Sequence, residues 1–300
     1  MRKGLWTWWH RGQRFFSAVA AHDLGAYAAA LAYNFLFALP PLALFLAALL
    51  GFWHLPADPQ QWLKGPWQVL LPPPLTRFLD RWGETLIAHR HPALLSLGGL
   101  GFVWGTSGAF RQLIDALNHI EGISPARRSL LATYALSLAA GALFGLLLAA
   151  AVALAWWEEV ALAPTHPRWI WILGWRWVLL LTTIWGLLTL AYRYLPDTPQ
   201  PVRAWSRGTV VAVAGWLAGT WGLSRYAQWS RGLSAVYGGL TTLVLLMLYF
   251  YLTALVILFG AEVNRWYRER SKPNPGQLQE HGEAHPDDPA HDGAVDPDPL

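Results

Sequence analysis

The fold class this sequence predicts is an all-α membrane protein: six transmembrane helices, an N-terminal amphipathic interfacial helix and an extracytoplasmic helical loop. Three observations predict it. Hydrophobic residues make up 54% of the 300 and charged residues only 13%, where a soluble domain carries about 25% charged residues to clothe its surface. Six apolar runs approach or exceed the ~20 residues a helix needs to cross a hydrocarbon core. Lys and Arg cluster between those runs in the order that the positive-inside rule requires.

The chain divides into an amphipathic N-terminal helix (1–22), a six-helix transmembrane domain (23–270) that includes an extracytoplasmic loop (54–92), and an acidic tail (271–300). In the first segment Leu5, Trp8, Trp9, Phe15, Phe16 and Val19 recur at helical spacing, with Lys3, His10, Arg11 and Arg14 largely opposite. That pattern predicts a helix lying on an anionic leaflet. Trp8, Trp9, His10, Arg11 and Arg14 interrupt any apolar stretch a signal peptide would need.

The six predicted spans are Leu24 to Trp53, Ala93 to Phe110, Ser129 to Trp157, Trp169 to Tyr192, Gly208 to Leu223 and Leu233 to Ala261. The first, third and sixth are long and nearly free of charge, whereas the second and fifth are short and glycine-rich. Between the first two spans, Pro56, Pro59, Pro66 and the run Pro72 to Pro74 break any long helix. After them Leu75, Phe78, Leu79, Trp82 and Leu86 form one apolar stripe, predicting a second interfacial helix on the outer face. The tail from Ser271 to Leu300 holds seven of the 18 acidic residues and almost nothing to bury, so it is expected to be disordered.

An even number of spans puts both termini on one side. Placing the N-terminus in the cytoplasm assigns 14 of the 22 Lys and Arg to the inner side, among them Arg111, Arg127, Arg128, Arg193 and Arg265. The expected arrangement is therefore multi-pass, with both termini cytoplasmic.

Chemistry has few places to reside. Cysteine is absent, which excludes disulfides, thiol nucleophiles and thiolate metal sites. No phosphate-binding loop, H-E-x-x-H, G-x-S-x-G or dinucleotide fingerprint occurs, and the basic residues form no nucleic-acid-binding stripe. The expectation is a protein that is not an enzyme, with no catalytic residue, no metal, no cofactor and no nucleic-acid partner.

Polar residues at membrane depth say more, because burying one without a partner in hydrocarbon costs several kcal/mol. Tyr33 and Asn34 lie mid-way along the first span, and Pro40 and Pro41 follow, removing the amide donors that the carbonyls of Leu36 and Phe37 would use. A kinked turn lined by Tyr33, Asn34 and Pro40 is expected to border a hydrated cavity, although a lone Asn also serves as glue between helices. Arg111, Asp115 and Asn118 follow one another at helical spacing past the second span, Glu262 and Asn264 end the sixth, and Arg193 ends the fourth. These are expected to meet at one depth as a charged inner mouth. Gly101/Gly105, Gly141/Gly145 and Gly215/Gly219 are spaced for close helix crossings.

Four stretches together resemble one family: AYNFLFALPPLALFLAALLG from Ala32, WGTSGAFRQLIDALNHIEGI from Trp104, YRYLPDTPQPVRAWSRGTVVAVAGW from Tyr192, and SAVYGGLTTLVLLMLYFYLTALVILFGAEVN from Ser234. In order and spacing they are similar to the YihY/BrkB family of bacterial inner-membrane proteins, over about Phe15 to Tyr267, with Tyr237, Gly238, Gly260, Ala261 and Glu262 in the most specific stretch. The resemblance implies six helices with cytoplasmic termini, and roles in envelope integrity and lipid movement. Some members carry the label ribonuclease BN, to which this sequence lends no support. Two functions follow. One is a transporter or flippase for a phospholipid or other amphiphile, lined by Asn34, Arg111, Asp115, Tyr237 and Glu262; its expected partners are membrane lipids, an anionic phospholipid foremost, and an envelope protein that takes the cargo. The other is a non-transporting scaffold that recruits partners through the tail and the outer loop.

Overall fold

The computed structural model describes residues 22–52, 92–124, 127–161, 169–201, 206–229 and 239–270, and every regular element among them is a helix. These are α1 (Leu24–Phe52), α2 (Pro92–Glu121), α3 (Leu130–Ala161), α4 (Trp169–Tyr194), α5 (Arg207–Trp229) and α6 (Gly239–Arg270). The predicted amphipathic helix up to Ala21, the outer loop from Trp53 to His91, Tyr237 and the tail from Ser271 lie outside the described residues. Among the described residues, three stretches are long and apolar enough to cross a membrane: Leu24–Leu42, Leu130–Leu147 and Leu240–Arg270. They fall in the first, third and sixth of the predicted spans.

The end of α2 and the start of α5 have local reasons. α2 continues eleven residues past Phe110, because Leu113, Ile114, Leu117 and Ile120 keep an apolar face at helical spacing and all four are buried. It stops at Gly122, whose φ of 69° lies in the left-handed region. There the Gly122 N–H donates to the His119 carbonyl (3.1 Å) and the Ile123 N–H to the Asn118 carbonyl (2.9 Å), the paired bonds of a Schellman end. α5 starts on Ser206, whose hydroxyl accepts the Thr209 N–H at 3.2 Å, an N-cap bond.

The helix α1 is continuous through Pro40 and Pro41, the two positions expected to kink it, and α2 packs closely along that stretch. A Cβ added to Gly101 of α2 would lie 3.2 Å from Pro41 Cβ, one added to Gly105 would lie 3.3 Å from the Ala38 Cα, and one added to Gly98 would lie 2.7 Å from the Phe45 backbone nitrogen. Glycines thus give α2 a flat face against which α1 lies backbone to backbone, while Leu97, Leu100 and Trp104 point outward and are more than two-thirds exposed.

The other small-residue pairs divide. Gly141 and Gly145 of α3 take Thr106 and Phe102 of α2, and Gly215 of α5 meets Val256 of α6, but nothing stands within 4 Å of a Cβ built on Gly219. Two buried apolar clusters result. One joins α1, α2, α4, α5 and α6 around Leu31, Ile114, Leu117, Tyr192 and Leu258, and a smaller one joins α1, α5 and α6 around Leu39, Leu223 and Leu246. Outward-facing residues are as apolar as the cores: Leu130, Leu131 and Leu146 of α3, Trp221 of α5, and Leu240 and Val244 of α6 are all more than 60% exposed. A surface of this kind suits lipid, not water.

The chain divides at Arg265 into two compact units. In the second, the last residues of α6 place the Arg270 guanidinium 4.6 Å above the Trp266 ring.

Candidate functional site

Polar contacts concentrate where the C-terminus of α2 meets the start of α1, the end of α4, the start of α5 and the end of α6. Among the described residues the most buried charge is Glu262, 2% exposed on α6 in the sequence Gly260-Ala261-Glu262. His22, just before α1, turns its ring to this carboxylate, with Nδ1 2.9 Å from Glu262 Oε2. The other ring nitrogen, Nε2, stands 3.0 Å from Arg265 Nη1. A guanidinium has no acceptor, so Arg265 donates to Nε2, and the ring proton sits on Nδ1 and is donated to Glu262. Arg265 Nη1 also donates to the carbonyl of Ile120 at the end of α2. One imidazole therefore relays between a buried carboxylate and a guanidinium, tying α1, α2 and α6 together. His119 stacks edge-on against His22 at 5.7 Å and Tyr27 lies 5.3 Å from His119.

A second set sits beside the first on α2. Asn118, buried, accepts the Asp197 N–H through its side-chain oxygen at 2.8 Å. Asp197 Oδ2 accepts the N–H groups of Arg127 (2.7 Å) and Arg128 (3.0 Å). The Arg128 guanidinium donates to the carbonyls of Tyr194, Leu195 and Pro196, capping α4 where its last carbonyls have no helical donor. The loop before α3 and the loop after α4 are thereby clasped by an arginine and an aspartate working in opposite directions.

Two carboxyl groups here are shifted in opposite senses. Asp197 is held below the usual carboxylate range: burial alone would raise it, but the Arg128 N–H, the Asn118 side chain, the Arg127 N–H and the Arg128 charge outweigh burial. Asp115 is held above that range by desolvation first and by the Asp197 charge second, against the opposing pull of Arg111. A depressed carboxyl stabilises the fold fully above its unfolded value of about 4, and that contribution is lost as pH falls through the lowered folded value. A raised one weakens the fold above its folded value and ceases to do so in acid. Asp197→Asn is thus expected to flatten the acid limb of a thermal-unfolding profile, and Asp115→Asn to raise the midpoint at pH 7. An acid limb of unchanged slope in Asp197→Asn would refute the clasp.

The structure splits the group that the sequence placed in one mouth. Asn118 and Glu262 belong to the adjoining sets just described. Arg111 is turned away from them, its guanidinium 4.2 Å over the Tyr134 ring of α3. Asn264 faces α5, accepting the Gly208 N–H at 2.8 Å. Asn34 is half-buried, donates to the Ala30 carbonyl at 2.9 Å, and its oxygen would lie 3.2 Å from a Cβ on Gly108, so it serves the α1–α2 contact. Tyr33 is 55% exposed with its ring against Phe37. Pro40 instead lines an apolar cleft of about 340 Å³ between α1 and α6, with Leu36 and Phe37 on its own helix and Thr242, Leu243 and Leu246 opposite. Tyr237 lies outside the described residues.

Sequence reasoning missed His22, His119, Arg128, Asp197 and Arg265. Arg128 and Arg265 entered only as markers of membrane side. Asp197 stands in the quoted stretch YRYLPDTPQP between two prolines, a turn context that should have drawn notice. His22 carried no local signal, since its partner is 240 residues away.

The family model for virulence factor BrkB matches residues 15–285. The chain belongs to the BrkB family. Family and apolar helices together make it a membrane protein, in agreement with the four stretches from which the resemblance was read. YfkH of Bacillus subtilis (strain 168), which carries the name ribonuclease-like, is 24% identical over 266 residues, 87% of this chain and 96% of its own. No solved structure gives a significant match. Among the described residues of this BrkB-family chain, no group of three His, Cys, Asp or Glu could hold a metal ion.

Proposed function

We propose that this BrkB-family chain crosses the bacterial inner membrane six times with both termini in the cytoplasm, and moves a phospholipid or other amphiphile across it. The observation that carries this reading is the Glu262–His22–Arg265 relay. A carboxylate 2% exposed where the apolar stretch of α6 ends is expensive, and here it joins the start of α1, the end of α2 and the end of α6. The topology supports the placement: the ends so joined are those that alternating spans bring to one side, where the basic residues cluster. In this reading the relay is the inner gate. Parting it separates α1 from α6 and leaves three polar groups facing a head group.

The test is lipid movement by the purified full-length protein in vesicles carrying a fluorescent phospholipid, read by quenching of the outer leaflet. Wild type is expected to accelerate movement. Glu262→Gln, which keeps shape and removes charge, should lower the rate about tenfold, a barrier change of ~1.4 kcal/mol. Vesicles in which wild type moves no lipid would sink the transport reading. Equal rates in wild type and Glu262→Gln would remove the relay from it.

A further inference from the structure

The cleft between α1 and α6 has a feature that hydrocarbon alone does not explain. Its walls are apolar except for Thr242, and it opens among outward-facing Phe37 (59% exposed) and Leu243 (45%). Yet the backbone of its α1 wall is short of donors. Leu36 and Pro40 stand one turn apart and both line the cleft, and Pro40 has no N–H to offer the Leu36 carbonyl. That carbonyl is therefore left without its helical donor along the wall of the cleft. Pro41 removes the donor of Phe37 in the same way, but Pro41 packs on Gly101 of α2, which puts the Phe37 carbonyl on the other side of the helix. One acceptor inside an apolar cleft, with a hydroxyl on the opposite wall, calls for an occupant that brings hydrocarbon and a hydrogen-bond donor together, since an acceptor left dry in lipid costs several kcal/mol.

We infer that this cleft binds a phospholipid whose head group carries N–H or O–H donors, the Leu36 carbonyl accepting from the head and Leu243, Leu246 and Phe37 holding the upper part of a chain. The occupant comes from the surrounding bilayer, because the mouth of the cleft is apolar and carries no charge to recruit a water-soluble ligand. The inference rests on the lipid reading above and names the lipid class.

Phosphatidylethanolamine and phosphatidylcholine with identical chains make a matched probe: both are zwitterionic, and only the first has donors on its head nitrogen. Full-length protein in detergent micelles is titrated with each lipid and occupancy read by native mass spectrometry. Wild type should favour phosphatidylethanolamine about fivefold, the worth of one net hydrogen bond. Pro40→Ala returns an amide donor to Leu36 and should bring the two lipids to parity by lowering phosphatidylethanolamine occupancy about fivefold, to that of phosphatidylcholine. Pro41→Ala is the positional control and should keep the preference. Leu243→Trp fills the cleft from a half-exposed position and should reduce occupancy by both lipids at least fivefold. Equal binding by wild type, a preference that survives Pro40→Ala, or undiminished occupancy in Leu243→Trp each overturns the assignment. Binding is read apart from movement, so a selective cleft in a protein that moves no lipid would refute the transport reading and leave this one standing.

Discussion

Gly208→Ala is expected to destabilise the protein by about 3 kcal/mol, the upper part of the range for overpacking. Gly208 is the second residue of α5, and a Cβ there would run into the Gly260 carbonyl oxygen and the Asn264 side chain. The obstruction is backbone, which cannot rotate away. Gly260 presents the reciprocal face, where a Cβ would lie 2.6 Å from the Tyr192 hydroxyl, 2.7 Å from the Gly208 carbonyl and 2.8 Å from Ala212 Cβ. Close approach also sets the polar contacts nearby: the Gly208 N–H reaches Asn264 and the Tyr192 hydroxyl donates to the Ile257 carbonyl at 2.7 Å. Gly219→Ala, eleven residues along the same helix with open space around it, is the control. It should be neutral or stabilising by up to about 1 kcal/mol, because alanine is the better helix former. Thermal unfolding of the detergent-solubilised protein, followed by loss of monodispersity, measures both. Equal midpoints for Gly208→Ala and Gly219→Ala would mean that α5 and α6 do not cross at Gly208 and Gly260.

Glu262→Ala is expected to cost about 3–5 kcal/mol, the penalty for removing one partner of a buried charge pair and stranding the other. Arg265 keeps the Ile120 carbonyl, but His22 loses the acceptor for its Nδ1 proton. The effect should be strongly non-additive. With His22→Ala already in place, the interaction of the ring with Glu262 is gone, and Glu262→Ala should cost at least about 1 kcal/mol less than it does alone. A double-mutant cycle on these two residues, by denaturant titration in mixed micelles, returns that coupling directly. Additive single costs would show that His22 and Glu262 are neighbours without energetic contact, and the inner gate would lose its foundation.

Much of this was legible in the residues, and the parts that were not share a cause. The three stretches that qualify as membrane-crossing are those whose apolar runs were longest and least charged, since length and composition are local properties. Gly101 and Gly105 were recognisable as a contact face from spacing alone, and α1 does lie on them. The same pattern at Gly215 and Gly219 is half right, because spacing says where a flat surface exists and not whether a helix comes to occupy it. Glu262 and Asn118 were identifiable as polar residues in costly positions, but not their partners. Arg111 still acts on the charge of Asp115 four residues on, but its guanidinium also lies over the Tyr134 ring of α3, a contact that spacing within α2 does not encode.

The sequence by itself determined the solvent this protein lives in, the helices that are longest and most apolar, and the family, because all three follow from composition and from order along the chain. Only the tertiary structure decided that Pro40 lines a cleft while Pro41 packs on Gly101, and that a histidine just before α1 bridges Glu262 and Arg265. Those facts depend on which residues distant in sequence come within three or four ångströms of each other. Hydrogen bonds and packing contacts act only at that range, and no periodicity within a segment encodes the segment it meets.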